Sequence, residues 1–65
     1  MTPPFRPGQS VMCRAFTDAA TGKAYPAEHY LKVEAVEQRE QGWFVAAENV
    51  RVRITAHADH FALMP

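Results

Sequence analysis

Several features that would restrict the function are missing or scarce in this chain of 65 residues. One cysteine excludes a disulfide within the chain, and the three glycines form no phosphate-binding loop motif. No apolar run approaches the ~20 residues that a membrane-spanning helix needs. The N-terminal segment lacks the basic start and apolar stretch of a secretory signal peptide. We therefore expect a soluble, reduced, cytoplasmic protein without a membrane partner.

An excess of either charge is also missing, since seven basic side chains balance seven acidic ones. Proteins that bind nucleic acid without sequence preference normally carry a basic excess, because contacts to phosphates supply much of their affinity. The composition, 48% hydrophobic and 22% charged, is that of a globular protein. A chain this short buries only about 60% of its unfolded surface, so association between copies would relieve a marginal core.

The sequence predicts a proline-rich N-terminal arm at residues 1–9 and a single domain at residues 10–65. Three of the five prolines lie in the arm, where they disfavour helix. The domain begins with a predicted strand, in which alternation brings three small side chains to the inner face. These are Val11, Cys13 and Ala15.

Residues 27–41 fit either a helix or a strand. Their composition favours a helix, because Ala, Glu, Leu, Lys and Gln dominate, and Pro26 and Gly42 suit its two ends. Their spacing favours a strand, because apolar and charged residues alternate from Leu31 to Ala35. The second half of a helix would also present nothing apolar with which to pack.

We predict a strand at about 29–38, with a bulge at Ala35–Val36 where the alternation slips. The alternative is an α+β fold, in which a helix at 27–41 packs on a small antiparallel sheet. A turn at Gln41–Gly42 follows.

The C-terminal third predicts further strands. One strand has an inner face formed by Trp43, Val45 and Ala47. A tight hairpin at Glu48–Asn49 leads to residues 50–55, which alternate again. Their inward side chains are Val50, Val52 and Ile54, and their outward ones Arg51, Arg53 and Thr55. A short irregular or 3₁₀ turn, "AHADH", precedes a last strand, "FALM".

Five short strands predict a mainly β fold, a small barrel whose closure removes exposed strand edges.

Three stretches resemble SH3-like barrels in outline, across nearly the whole chain. "PGQSV" resembles the glycine-led start of their first strand, and "GWFVAA" the strand that begins with an aromatic residue. "ITAHADHFAL" resembles their closing strand, 3₁₀ turn and final strand. The resemblance implies a fold and by itself no function. Peptide-binding SH3 domains have an acidic loop after the first strand, where this chain offers only Asp18.

A fainter resemblance is to the plasmid-borne type II dihydrofolate reductases, which are small SH3-like barrels that work as tetramers. Residues 8–11 and "GWFVAAENVRVRIT" look like corresponding stretches of that family. Its active-site strand carries Val-Gln-Ile-Tyr, and "VRIT" at residues 52–55 stands in that place. From this resemblance we expect the barrel fold and an oligomer, but not the reductase activity. The brevity of the chain fits a mobile-element protein.

Candidate catalytic and metal residues are few. His57 and His60 supply two zinc ligands, whereas a structural zinc normally takes four. Cys13 lies on the predicted inner face, where a cysteine behaves as a small hydrophobe. We expect no metal, no cofactor and no catalytic residue.

Arginines and aromatic residues are the more promising group, because a barrel of this size cannot enclose all seven aromatics. Exposed aromatics and arginines are favoured at protein interfaces. The predicted binding surface is formed by Tyr25, Tyr30, Trp43, Arg51, Arg53 and His60. We therefore expect a non-catalytic, self-associating protein-interaction module. One alternative is a barrel that binds single-stranded nucleic acid through Arg51 and Arg53. Another is a small oligomeric enzyme with its site at a symmetry axis.

Overall fold

The computed structural model describes residues 2–65 and is mainly β. Its strands are β1 (Ser10–Cys13), β2 (Phe16–Thr17), β3 (Ala24–Tyr25), β4 (Glu28–Arg39), β5 (Gly42–Glu48), β6 (Arg53–His57) and β7 (Phe61–Leu63). A 3₁₀ turn, η1 (Ala58–His60), joins β6 to β7 as the sequence predicts. Five strands form one antiparallel sheet in the order β6-β5-β4-β1-β7, and β2 and β3 form a separate hairpin.

β4 resolves the ambiguous segment as a strand of twelve residues. The predicted strand is confirmed, and the alternative helix at 27–41 is wrong. β4 pairs with β1 near its start and with β5 along the rest, so both edges find hydrogen-bond partners. This pairing also buries Leu31 and Val33. Helix propensities differ by less than about 0.7 kcal/mol per ordinary residue, which such tertiary contacts outweigh.

The register of β4 slips at two places. Against β5, Val33 and Ala35 pair with adjacent residues of the partner strand, so Glu34 is the extra residue. This bulge lies just before the predicted position, Ala35–Val36. Against β1, a second slip spans Tyr30, whose φ is +57°. A bulky residue with positive φ is a genuine backbone outlier.

One hydrophobic core unites the five strands of the large sheet. Its buried side chains are Phe5, Val11, Cys13, Leu31, Val33, Val45, Ala47, Ile54, Ala56, Ala58 and Phe61. The inward positions of Val11, Cys13, Val45 and Ala47 agree with the alternation in the sequence. Phe5 comes from the N-terminal arm, and its ring packs edge-on against Phe61 with the centroids 6.4 Å apart.

The turn between β5 and β6 overturns the predicted position of Val50. This side chain is fully exposed rather than inward, and Val52 is only half-buried. Asn49 Oδ1 accepts the backbone N–H groups of Arg51 at 2.8 Å and Val52 at 3.0 Å, which keeps these residues in a turn. β6 therefore begins at Arg53, and the predicted two-residue hairpin is wrong.

The first strand is also shorter than predicted. β1 ends at Cys13, so Ala15 is exposed instead of facing the core, and the chain enters β2 at Phe16. Within residues 2–65, no helix has the length and apolar character needed to cross a membrane.

Two valine substitutions test this arrangement. Val45→Ala removes fully buried methyl groups, and we expect it to lower the free energy of unfolding by about 1–3 kcal/mol. Val50→Ala removes methyl groups that are already in water, so the expected loss is below about 0.5 kcal/mol. Urea unfolding measures both values, and equal losses would contradict the exposed position of Val50.

Candidate functional site

A groove of about 380 Å³ opens where the β4–β5 turn approaches the β2–β3 hairpin. Its walls come from β2 and the loop after it, from the end of β4, and from β5, β6 and η1. Four ring side chains line it, namely Phe16, Phe44, His57 and His60. We call this the ring groove. Elements distant in sequence build it, so the fold must be complete before the groove exists.

Two stacked rings, those of Phe16 and His60, form one wall of the ring groove, and Tyr25, which does not line the groove, stacks on Phe16. The ring of Phe16 lies between those of Tyr25 and His60, with centroid distances of 4.9 Å and 4.4 Å and interplanar angles of 12° and 20°. Strand pairing places Phe16 opposite Tyr25. Arg14 fixes η1, because its backbone N–H donates to the carbonyl of His60 at 2.8 Å and its Nη1 to that of Asp59 at 2.9 Å.

The opposite wall is formed by Phe44, which pairs in register with His57 on the neighbouring strand. The two rings meet edge to face, with centroids 5.4 Å apart. The guanidinium of Arg39 lies 4.6 Å from the centroid of Phe44, and Glu37 binds it at 2.9 Å. This wall therefore combines an apolar ring with a cation whose charge is partly neutralised.

His57 joins three parts of the ring groove by hydrogen bonds. Its Nδ1 accepts the backbone N–H of Asp59 at 3.1 Å. Its Nε2 lies 2.9 Å from the carbonyl oxygen of Gln41 in the β4–β5 turn. A carbonyl only accepts, so Nε2 carries the proton, and the neutral imidazole satisfies both bonds. Gly42 leaves room for this ring, because a Cβ there would stand 2.9 Å from Nε2.

The chemistry offered by the ring groove is that of recognition. The ring surfaces that line the groove favour contact with proline, aromatic or aliphatic side chains, and imidazole and guanidinium groups supply hydrogen-bond donors beside them. Cys13 lies outside this surface, fully buried in the core. Burial raises the pKa of its thiol, which favours the protonated, unreactive form.

The six residues of the predicted binding surface do not meet in one place. His60 lines the ring groove, and Tyr25 stacks on Phe16 without lining the groove itself. Trp43 is half-buried and packs against the core. Tyr30 and Arg51 line a second concavity at the other end of the β4–β5 hairpin. Arg53 begins β6, opposite Glu48.

Both arginines of the predicted surface make ion pairs. Arg51 Nη2 lies 2.8 Å from Glu28 Oε1, and Arg53 Nη1 lies 3.2 Å from Glu34 Oε2. The hydrogen bond from Arg51 holds the pKa of the Glu28 carboxyl below its ordinary value. The positive charges of Arg51 and Arg53 are therefore partly neutralised within the protein.

The predicted binding surface leaves out the groove side chains Phe16, Arg39, Phe44 and His57. A signal for Phe44 and His57 does exist, since both lie on the outer face of strands whose inner face is alternately apolar. The stacking of Phe16 on His60 joins residues at opposite ends of the chain and has no local signal.

The two histidines considered as zinc ligands in the sequence have separate partners. His57 binds backbone groups through both nitrogens, whereas His60 stacks on Phe16. In the part of the chain from residue 2 to 65, no three histidine, cysteine or acidic side chains gather as a metal site would require.

In comparisons with known proteins, no family model, characterised protein or solved structure matches the chain.

Gly42→Ala tests whether the ring groove depends on the position of His57. We expect a loss of about 1–3 kcal/mol in the free energy of unfolding, because a positive φ of 118° and a clash with the imidazole act together. Gly22→Ala is the matched control, since its φ is +74° but its Cβ would meet nothing within 4 Å. Urea unfolding of both variants should give the larger loss at Gly42, with shifted His57 resonances in that variant alone.

The Glu28–Arg51 pair predicts a defined pH dependence. Because the folded-state pKa of Glu28 is lowered, the pair stabilises the fold above the unfolded-state pKa and loses that effect as the pH falls through the folded-state pKa. Arg51→Gln should raise the pKa of Glu28 toward its ordinary value, as measured by NMR titration of the side-chain carboxyl carbon. Arg39→Gln, which breaks a pair elsewhere, should leave the Glu28 pKa unchanged.

Proposed function

We propose that this protein is a non-catalytic interaction module that binds an extended segment of a partner protein in the ring groove. The observation that carries the proposal is the pair of ring walls, Phe16 with His60 on one side, supported by Tyr25, and Phe44 with His57 on the other. Aromatic surfaces of this kind are the usual anchors of protein recognition. An apolar side chain of the partner would lie between the walls.

Pre-organisation supports this assignment. The strand pairs Phe16–Tyr25 and Phe44–His57 fix two of the ring contacts, and η1 is tied to the end of β1. A ring that is already ordered loses little side-chain entropy when a partner binds. The groove is therefore suited to bind a short segment without rearrangement.

We further propose that the large sheet curls into a small SH3-like barrel. One core receives side chains from all five strands, and the edge strands β6 and β7 are joined by only the three residues of η1. Closure would protect both edges from pairing with other chains. This proposal concerns the scaffold and does not alter the groove.

Two alternatives stay hypotheses. Binding of single-stranded nucleic acid would require Arg51 and Arg53 to exchange their carboxylate partners for phosphates. A small oligomeric enzyme would require a site at a symmetry axis. The interaction module ranks first because its proposed site uses contacts already present in one chain.

A displayed library of random peptides tests the proposed function. Selection on the immobilised protein should yield a convergent sequence containing an apolar or aromatic residue. In amide NMR spectra, the synthetic peptide should shift residues 16–19, 39–44 and 55–60. Failure of any sequence to converge, or shifts confined to another face, would count against the groove. An oligonucleotide pool added to a second sample tests the nucleic-acid alternative at residues 51–53.

Point variants identify the anchors within the groove. Phe44→Ala should weaken binding of the selected peptide on the order of tenfold or more, because one wall is removed. Thr21→Ala, in the exposed loop of the β2–β3 hairpin, is a control expected to leave the affinity unchanged. Thermal unfolding and amide spectra establish that both variants are folded, so that a loss of affinity reports the groove itself.

A further inference from the structure

A second concavity of about 820 Å³ lies at the opposite end of the β4–β5 hairpin from the ring groove. Its two apolar side chains are Tyr30, which is 76% exposed, and Val50, which is fully exposed. Charged side chains surround them, chiefly Lys32, Glu48 and Arg51. We call these five residues the Tyr30–Val50 patch. It shares no residue with the ring groove.

The turn that presents Val50 is rigidly held by Asn49. Its carboxamide oxygen accepts two backbone N–H groups, and its Nδ2 donates to the carbonyl of His29 at 3.2 Å. The backbone N–H of Asn49 also donates to the carbonyl of Val52 at 3.0 Å. An exposed aliphatic side chain on an ordered turn can bind without a large loss of conformational entropy.

Backbone strain accompanies the exposure of Tyr30. Its φ of +57° is unfavourable for a bulky residue, whereas glycine adopts this conformation freely and asparagine more readily than tyrosine. Hydrophobic burial of the ring offsets little of this strain, because most of the Tyr30 side chain lies in water. A strained and exposed aromatic side chain points to a role in binding.

The charges of the patch indicate what covers it. Lys32 stands directly opposite Glu48 in the strand pairing, and Arg51 is paired with Glu28. Together with Glu28, which lies beside the patch, the surface carries two basic and two acidic side chains and would not repel a copy of itself. Among residues 2–65, Lys32 has no carboxylate within ion-pair distance. A two-fold interface requires such a self-complementary surface, in which each group meets its counterpart on the other chain.

Two carboxyl groups, those of Glu34 and Glu48, lie close together beside the Tyr30–Val50 patch, which favours a cation near Glu48. A hydrogen bond with Glu48 raises the pKa of the Glu34 carboxyl, despite the nearby Arg53. Two acidic groups therefore meet at the edge of the patch. Lys32 of the same chain stands opposite Glu48, and Lys32 of a second chain would add a further ammonium group near the two carboxyls.

We propose that two copies of this chain associate about a two-fold axis through the Tyr30–Val50 patch, with Lys32 of each copy facing Glu48 of the other. Tyr30 and Val50 form the apolar centre of this interface. The patch is much smaller than the 20–30 residues per side typical of stable complexes, so the dimer is weak and forms at high protein concentration. In this dimer, the ring groove of each chain stays open to solvent, because the patch and the groove share no residue. The proposal does not depend on peptide binding in them.

A charge-exchange experiment tests the geometry. Sedimentation equilibrium from 10 µM to about 1 mM should show a concentration-dependent dimer of the wild-type chain, as expected for a small interface. Lys32→Glu alone and Glu48→Lys alone should each be monomeric, because each variant places like charges across the axis. An equimolar mixture of the two should restore the dimer, since opposite charges then face each other at both contacts. A wild-type chain that stays monomeric throughout, or a mixture that does not associate, would overturn the proposal.

Two apolar variants separate binding from folding. Tyr30→Asn removes the ring while retaining a residue that accepts positive φ, so thermal stability should hold or rise while association weakens on the order of tenfold. Val50→Asp should abolish association, and Ala20→Asp adds the same charge to an exposed loop as its control. Loss of association with Ala20→Asp, or its persistence with Val50→Asp, would contradict the assigned surface. Val50→Asp should still bind the peptide with unchanged affinity. The dimer proposal and the peptide-binding proposal can therefore fail independently of each other.

Discussion

The pairing of β4 with two neighbours is the constraint on which the rest of the structure depends. β4 binds β1 near its start and β5 along its remainder, so one strand joins both sides of the sheet. Bulges at Tyr30 and Glu34 adjust its register and increase the local twist. The ring groove lies near one end of this strand and the Tyr30–Val50 patch near the other, so the same backbone pairing positions both surfaces.

Alternation in the sequence predicts the inner faces of the strands well. Leu31 and Val33 are two residues apart, and both are buried, although the surrounding composition favours a helix. Val45 and Ala47 follow the same rule on β5. The alternation succeeds because every inward position reaches the one shared core, where burial of an apolar side chain outweighs local propensity.

The errors lie where side-chain hydrogen bonds and long-range contacts, which alternation does not record, determine the structure. Val50 belongs to an alternating run, yet the bonds of Asn49 to the turn and to His29 exclude it from the strand. The ring groove escapes sequence analysis for a related reason, since Phe16 and His60 meet only through the completed sheet. Periodicity measures which face a residue occupies. It carries no information about which outer faces become neighbours.

The buried position of Cys13 makes the chain a reporter of its own unfolding. Its thiol is fully enclosed, with β4 on one side of β1 and β7 on the other. Because β7 pairs directly with Cys13, the thiol becomes accessible only when β7 separates from β1 or the sheet opens further, so a thiol-specific reagent in solution reacts at a rate set by that opening. A cysteine introduced at any exposed position would react far sooner, which permits selective attachment of a spectroscopic probe without removing the native thiol.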